Sequence, residues 1–181
     1  MFNLLVESVS DIELNATISV ALAAPSEDEV ELISARPDRI KLRVPGELKA
    51  VSAVEQVLAS FLADLPMETR EAIAIAFREL LENAVEHGCR LDRSKRIKVS
   101  FVRLKRAIIG RIKDPGAGFD PARLEHAAVN NPDDDPLRHA RVREESGMRA
   151  GGFGLLLTTK LVDELVYNER HNEVLFVKYL S

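Results

Sequence analysis

Two amphipathic helical stretches follow one another between residues 47 and 87, with strand-like segments before and after them rather than between them. Glu47 to Ala63 carries Leu48, Val51, Val54, Leu58, Phe61 and Leu62 at helical spacing. A break at Leu65-Pro66 separates it from a second stretch, Glu68 to about His87, which Gly88 is expected to cap. Ile40 to Val44 alternates apolar and basic residues as a half-buried strand does and stops at Pro45-Gly46. Ile97 to Val102 and Ala107 to Lys113 read as two strands around a short basic turn. Residues 114–151 hold Pro, Gly, Asn and much of the charge, and read as one long loop. Phe153 to Val162 reads as a third helix, and Leu165 to Tyr167 with Val174 to Tyr179 as a closing hairpin. Helices and strands that cluster instead of alternating favour a two-layer α/β sandwich, three helices on a mixed, largely antiparallel sheet.

The charge is unevenly placed. Residues 1–35 contain seven acids (Glu7, Asp11, Glu13, Glu27, Asp28, Glu29 and Glu31) and no Lys or Arg, leaving 22 acids against 25 bases in residues 36–181. The shift places a boundary near Arg36, dividing an acidic extension (1–36) from a main domain (37–181). Within the extension Ile12, Leu14, Ala16, Ile18, Val20 and Leu22 alternate with mostly polar positions. Two readings stand: extra strands packed on the domain, or an arm that binds a partner or forms a homodimer.

Several classes are excluded or disfavoured. Cys89 is the single cysteine, so no internal disulfide can form. No apolar run approaches the roughly 18 residues that span a bilayer, and no base precedes Arg36 to form the positive start of a secretory signal. A cytoplasmic location is expected. The net charge of −4 gives no global attraction to nucleic acid or an anionic membrane. The histidines lack zinc-ligand spacing and no Walker-type phosphate loop is present.

Chemistry first shows on the second helix. Glu79, Asn83 and His87 stand at i, i+4 and i+8, within an arc of about 80° at roughly 100° per residue. Ile73, Ala76, Phe77, Leu80, Leu81 and Ala84 cover the neighbouring sector, so the polar line follows the edge of the buried face. An amide oxygen there, with phosphate oxygens, suits Mg²⁺, and a glutamate one turn away can orient or deprotonate a nucleophile. Plain exposed helix positions would look the same. A second feature, Asp114-Pro115-Gly116-Ala117-Gly118-Phe119-Asp120, follows a strand. Its glycines let the chain approach a flat ligand and its aspartate can accept from an exocyclic amine, although a simple turn uses the same residues. The third feature, Gly151-Gly152-Phe153-Gly154-Leu155, runs into a helix whose first N–H groups can meet an anion; tight packing or a hinge is the plainer reading.

In this order the three features resemble the N, G1 and G2 boxes of the GHKL ATP-binding superfamily, whose fold is also called the Bergerat fold. Within it they look most like the bacterial anti-sigma-factor serine kinases. Glu79, Asn83 and His87 match E-x-x-x-N-x-x-x-H; Asp114, Gly116 and Gly118 match D-x-G-x-G; Gly152, Gly154 and Leu155 match G-x-G-L, with Phe153 as in the kinase form. The resemblance covers roughly residues 38–181. It implies ATP and Mg²⁺ as cofactors, with Asn83 as the metal ligand and Glu79 as general base toward a serine hydroxyl or as the residue that orients a water. It implies Asp114 as acceptor of the adenine amine, Gly116 and Gly118 as its wall, and Gly152 and Gly154 as phosphate donors. His87 fits the pattern with its role open between positioning and helix-end structure. Residues 119–150 would form an ATP lid, whose Arg123, Arg138, Arg141, Arg143 or Arg149 would reach the γ-phosphate. The implied partners are a sigma factor and an anti-anti-sigma protein of the STAS type, with no direct nucleic-acid contact. The alternative function is an ATP-switched binding module of the same fold that transfers no phosphate.

Overall fold

The computed structural model describes residues 30–119, 131–132, 134–135, 137–145 and 153–181. The alternating segment 12–22, Gly151 and Gly152, Arg123 and Arg149, and the lid positions 120–130, 133, 136 and 146–150 lie outside the described residues, as does the side chain of Arg143.

The described chain runs β1 (Glu31–Arg36), β2 (Arg39–Pro45), α1 (Lys49–Phe61), α2 (Met67–Asn83), a π-turn (Ala84–Gly88), β3 (Arg96–Leu104), β4 (Ala107–Lys113), α3 (Arg138–Glu145), α4 (Gly154–Leu161), β5 (Glu164–Tyr167) and β6 (Glu173–Tyr179). The six strands form one sheet in the order β1-β2-β3-β4-β6-β5. All five pairings are antiparallel, so the sheet is uniform where a mixed one was expected. The α/β sandwich is otherwise as the sequence implies.

The alternation in β2 is a burial pattern. Ile40, Leu42 and Val44 are buried, while Arg39, Lys41 and Arg43 are exposed. Their cross-strand partners Phe101, Val99 and Ile97 on β3 share the buried face. Phe101 registers both long helices on the sheet: its ring lies 4.9 Å from Phe77 of α2, edge-on, and 6.2 Å from Phe61 of α1. Full burial of each ring contributes about 1.5–3 kcal/mol by area. Opposite Phe101 stands Gly110, and a Cβ there would fall 2.1 Å from the ring of Phe176 on β6. The small residue lets Phe176 lie across β4.

Two expectations need correction. Four α-helices are described, because residues 114–151 are not a plain loop: Arg138–Glu145 forms α3. Its sequence carries no apolar stripe, which is why periodicity misses it. Gly88 is not a left-handed cap, since Gly118 is the described glycine with positive φ. At Ala84 the α2 ladder widens instead into a π-turn, in which the Cys89 N–H bonds the Ala84 carbonyl at 2.8 Å.

One topological step matters for the site. β6 returns between β4 and β5, so the end of β4 lies beside the start of β6, with Lys113 opposite Glu173.

Candidate functional site

Helix α2 is the spine. Ile73, Ala76, Phe77, Leu80 and Leu81 are buried beneath it, leaving Glu79 and Asn83 half-buried along the edge. Asn83 makes no side-chain hydrogen bond among the described residues. His87 departs from that line: it is exposed. A π-turn winds each residue through less than the α-helical 100°, so spacing counted as regular helix overshoots its direction.

At the far end of α2 the chain meets the loop after β4. A Cβ on Gly88 would lie 2.3 Å from Asp114 Cγ, so only glycine permits this approach. Gly116 donates its N–H to Asp114 Oδ1 at 2.7 Å. A Cβ on Gly116 would in turn fall 2.9 Å from the Gly88 carbonyl oxygen. The Gly88 and Gly116 backbones thus close around one carboxylate, leaving Oδ2 as its second acceptor. Burial holds the Asp114 carboxyl above the usual carboxylate range, opposed by the Gly116 N–H and its own backbone amide. The neighbouring Cys89 thiol is pushed up to about 11, first by burial and then by Asp114, so it stays protonated and unreactive. Gly118 has φ +85°, and a Cβ there would overlap the carbonyl of Arg170. Phe119 follows it and stacks edge-on against Tyr167 at 5.5 Å.

One turn before the end of α2 stands the start of α4. A Cβ on Gly154 would lie 2.2 Å from Glu79 Oε2. The first residue of α4 therefore rests on the α2 carboxylate. Thr158, fully buried, returns its hydroxyl to the Gly154 carbonyl at 2.9 Å and fixes that first turn. Leu155 packs at the edge of the core. Phe153, half exposed, meets the ring of His139 from α3 edge-on at 4.3 Å.

His139 is a residue that pattern reading passed over. It is fully buried, and Asn131 grips it twice: Oδ1 accepts the His139 N–H at 2.9 Å, and Nδ2 meets ring Nδ1 at 2.6 Å. With Oδ1 turned to that backbone donor, the Asn131 NH₂ is the group that meets Nδ1, so Nδ1 accepts and the proton of a neutral ring sits on Nε2. The contact ties α3 to the start of α4. Of the lid arginines, Arg141 pairs with Asp135, and Arg138 lies exposed on α3.

The Gly154 backbone therefore meets Glu79, with Asn83 one turn further along α2, and Asp114 with Gly116 forms a second cluster against Gly88. Glu79 and Gly88, against which the two clusters stand, are nine residues apart along α2 and the π-turn. That edge suits an elongated ligand with an amine at one end and anionic groups at the other. The donor set also fits ATP with Mg²⁺. An oriented, partly buried carboxylate can accept the amine, and an unengaged amide oxygen is a hard ligand for an ion whose other ligands are phosphate oxygens and water. The α4 N-terminus offers N–H groups to phosphate.

Residues 44–178 match the histidine kinase-like ATPase domain family. The chain is also similar to the serine-protein kinase RsbW of Oceanobacillus iheyensis, 24% identical over 147 residues that span 80% of this chain and 88% of that protein.

Proposed function

The chain belongs to the histidine kinase-like ATPase domain family, and on that premise we propose that it is an ATP-dependent protein-serine kinase of the anti-sigma type. Its substrate would be a serine of a STAS-type anti-anti-sigma protein, and its captive a sigma factor, in the cytoplasm. The observation that carries the reading is the pair of close approaches along α2: Gly154 on Glu79 and Gly88 on Asp114. The similarity to a serine-protein kinase supports the choice of reaction.

Each residue then has a task. Asp114 accepts the adenine amine through Oδ2, with Gly116 and Gly118 keeping that wall free of side chains. Asn83 would hold Mg²⁺, while Gly152, Phe153, Gly154 and Leu155 form the phosphate end. ATP with Mg²⁺ supplies, when bound, the phosphoryl group that is transferred. Glu79 takes the proton from the attacking serine hydroxyl as the new O–P bond forms and the bond to the departing diphosphate breaks. Gly154, by carrying no Cβ, leaves the space that this carboxylate occupies.

A non-phosphorylating ATP switch is the second reading. The Asn131–His139–Phe153 contact favours it, because it couples the lid helix to the phosphate end without any need for transfer. Glu79→Gln separates the two. Under the kinase reading it abolishes phosphorylation of the partner serine while MgATP binding persists. If partner release by ATP proceeds unchanged in this variant, and no phosphoserine forms with the wild type, the switch is the function.

A further inference from the structure

We propose that Asn172, oriented by Asn168, is the positioning residue that aims Asp114 and thereby sets the choice of nucleobase; the inference rests on the nucleotide reading above. The turn between β5 and β6 grips the Asp114 loop at several points. The Asn172 carbonyl accepts the Asp114 N–H at 3.0 Å, which extends the β4–β6 ladder by one bond. The Asn172 side-chain amide donates to the Gly116 carbonyl at 3.0 Å. Gly118 abuts the Arg170 carbonyl, and Phe119 lies 5.4 Å from the His171 ring.

The direction of the Asn172 amide is dictated by a relay. Asn168 Oδ1 accepts two backbone N–H groups, from Asn172 at 3.1 Å and Glu173 at 3.2 Å. Its own NH₂ must therefore point outward, and it donates to Asn172 Oδ1 at 2.8 Å. With that oxygen taken, Asn172 can turn only its NH₂ toward Gly116. Gly116 in turn donates to Asp114 Oδ1. Backbone donors at one end of the chain of bonds thus fix which carboxylate oxygen faces the ligand at the other. His171 lies in the left-handed region, φ 54°, and its N–H bonds the Asn168 carbonyl at 3.0 Å, closing the same turn.

A carboxylate aimed in this way accepts from the amine of a 6-amino purine and opposes a 6-oxo purine, whose oxygen at C6 puts a second acceptor in the amine's place. Discrimination is therefore expected to depend on the turn, whereas the phosphate end of the ligand lies elsewhere along α2. The test is calorimetric titration of MgATP and MgITP into the full chain, in the wild type, Asn172→Leu and Asn168→Asp. The wild type should prefer ATP about tenfold or more. Asn172→Leu should lose most of that ratio through weaker ATP binding, with ITP little changed. Asn168→Asp keeps its two backbone acceptor bonds but cannot donate onward, so it should move the ratio the same way by less. It also decides the matter if Asn172→Leu does not fold. An unchanged ratio in folded variants, or an equal loss for both nucleotides, overturns the positioning role. Wild-type protein that binds neither nucleotide overturns the nucleotide reading and this inference with it.

Discussion

Gly154 and Glu79 compete for one space: a Cβ on Gly154 would lie 2.2 Å from Glu79 Oε2 and 3.1 Å from its Cδ. The residue that starts α4 and the carboxylate near the end of α2 are therefore set against each other. Changes at position 154 should be read first at that carboxylate.

Gly154→Ala follows directly. The obstructing atoms are the far end of a flexible side chain, so Glu79 can move aside cheaply, and the first position of α4 accepts alanine. The melting temperature should stay within a few degrees of wild type. Phosphoryl transfer should fall about a hundredfold, because a displaced base loses its alignment. The two readouts are thermal denaturation and phosphate incorporation into the partner serine.

Gly118→Ala should behave in the opposite way. Here the obstacle is backbone, the Arg170 carbonyl, and the residue sits at φ +85°. Neither can yield without moving the β5–β6 turn. The expected loss is about 1–3 kcal/mol of stability from backbone strain alone, read as a lower urea midpoint. MgATP affinity should fall as well.

Asp114 makes stability depend on pH. Its folded-state pKa is raised above the unfolded value by burial. The native state therefore binds the proton more readily than the unfolded chain. Stability from this group is greatest below the ordinary carboxylate pKa and declines as pH rises through the raised value. Asp114→Asn should remove that decline and be more stable than wild type at neutral pH, while binding ATP at least about tenfold more weakly. Urea denaturation across the acid range checks the first part, and titration with MgATP the second.

What the sequence revealed and what it hid differ in physical kind. Ile40, Leu42 and Val44 alternate because one face of β2 is buried, and burial leaves a period that can be read. Helix α2 was legible for the same reason, through Ile73, Phe77, Leu80 and Leu81. Helix α3 was hidden because it commits only His139 to the interior of its described side chains, and one buried residue makes no period. The π-turn was hidden because a shift of backbone bonding by one residue alters no side-chain pattern, and it moved His87 off the expected line. Gly88 was read as a cap, the local meaning of glycine after a helix. Its actual contact is with Asp114, twenty-six positions onward, and no local signal encodes it. Asn168 and Asn172 look like ordinary turn residues until the topology brings β6 beside β4.

The central claim is that the edge of α2 is a Mg-nucleotide site. The most direct measurement is calorimetric titration of MgATP into the wild-type chain and Asn83→Ala. Asn83 lies half-buried with no side-chain partner among the described residues, so its loss should leave the fold intact. Saturable binding by the wild type, weakened about tenfold or more in the variant, is the predicted result. Folded wild-type protein that takes up no nucleotide, or a variant that binds MgATP as tightly as wild type, would contradict the account.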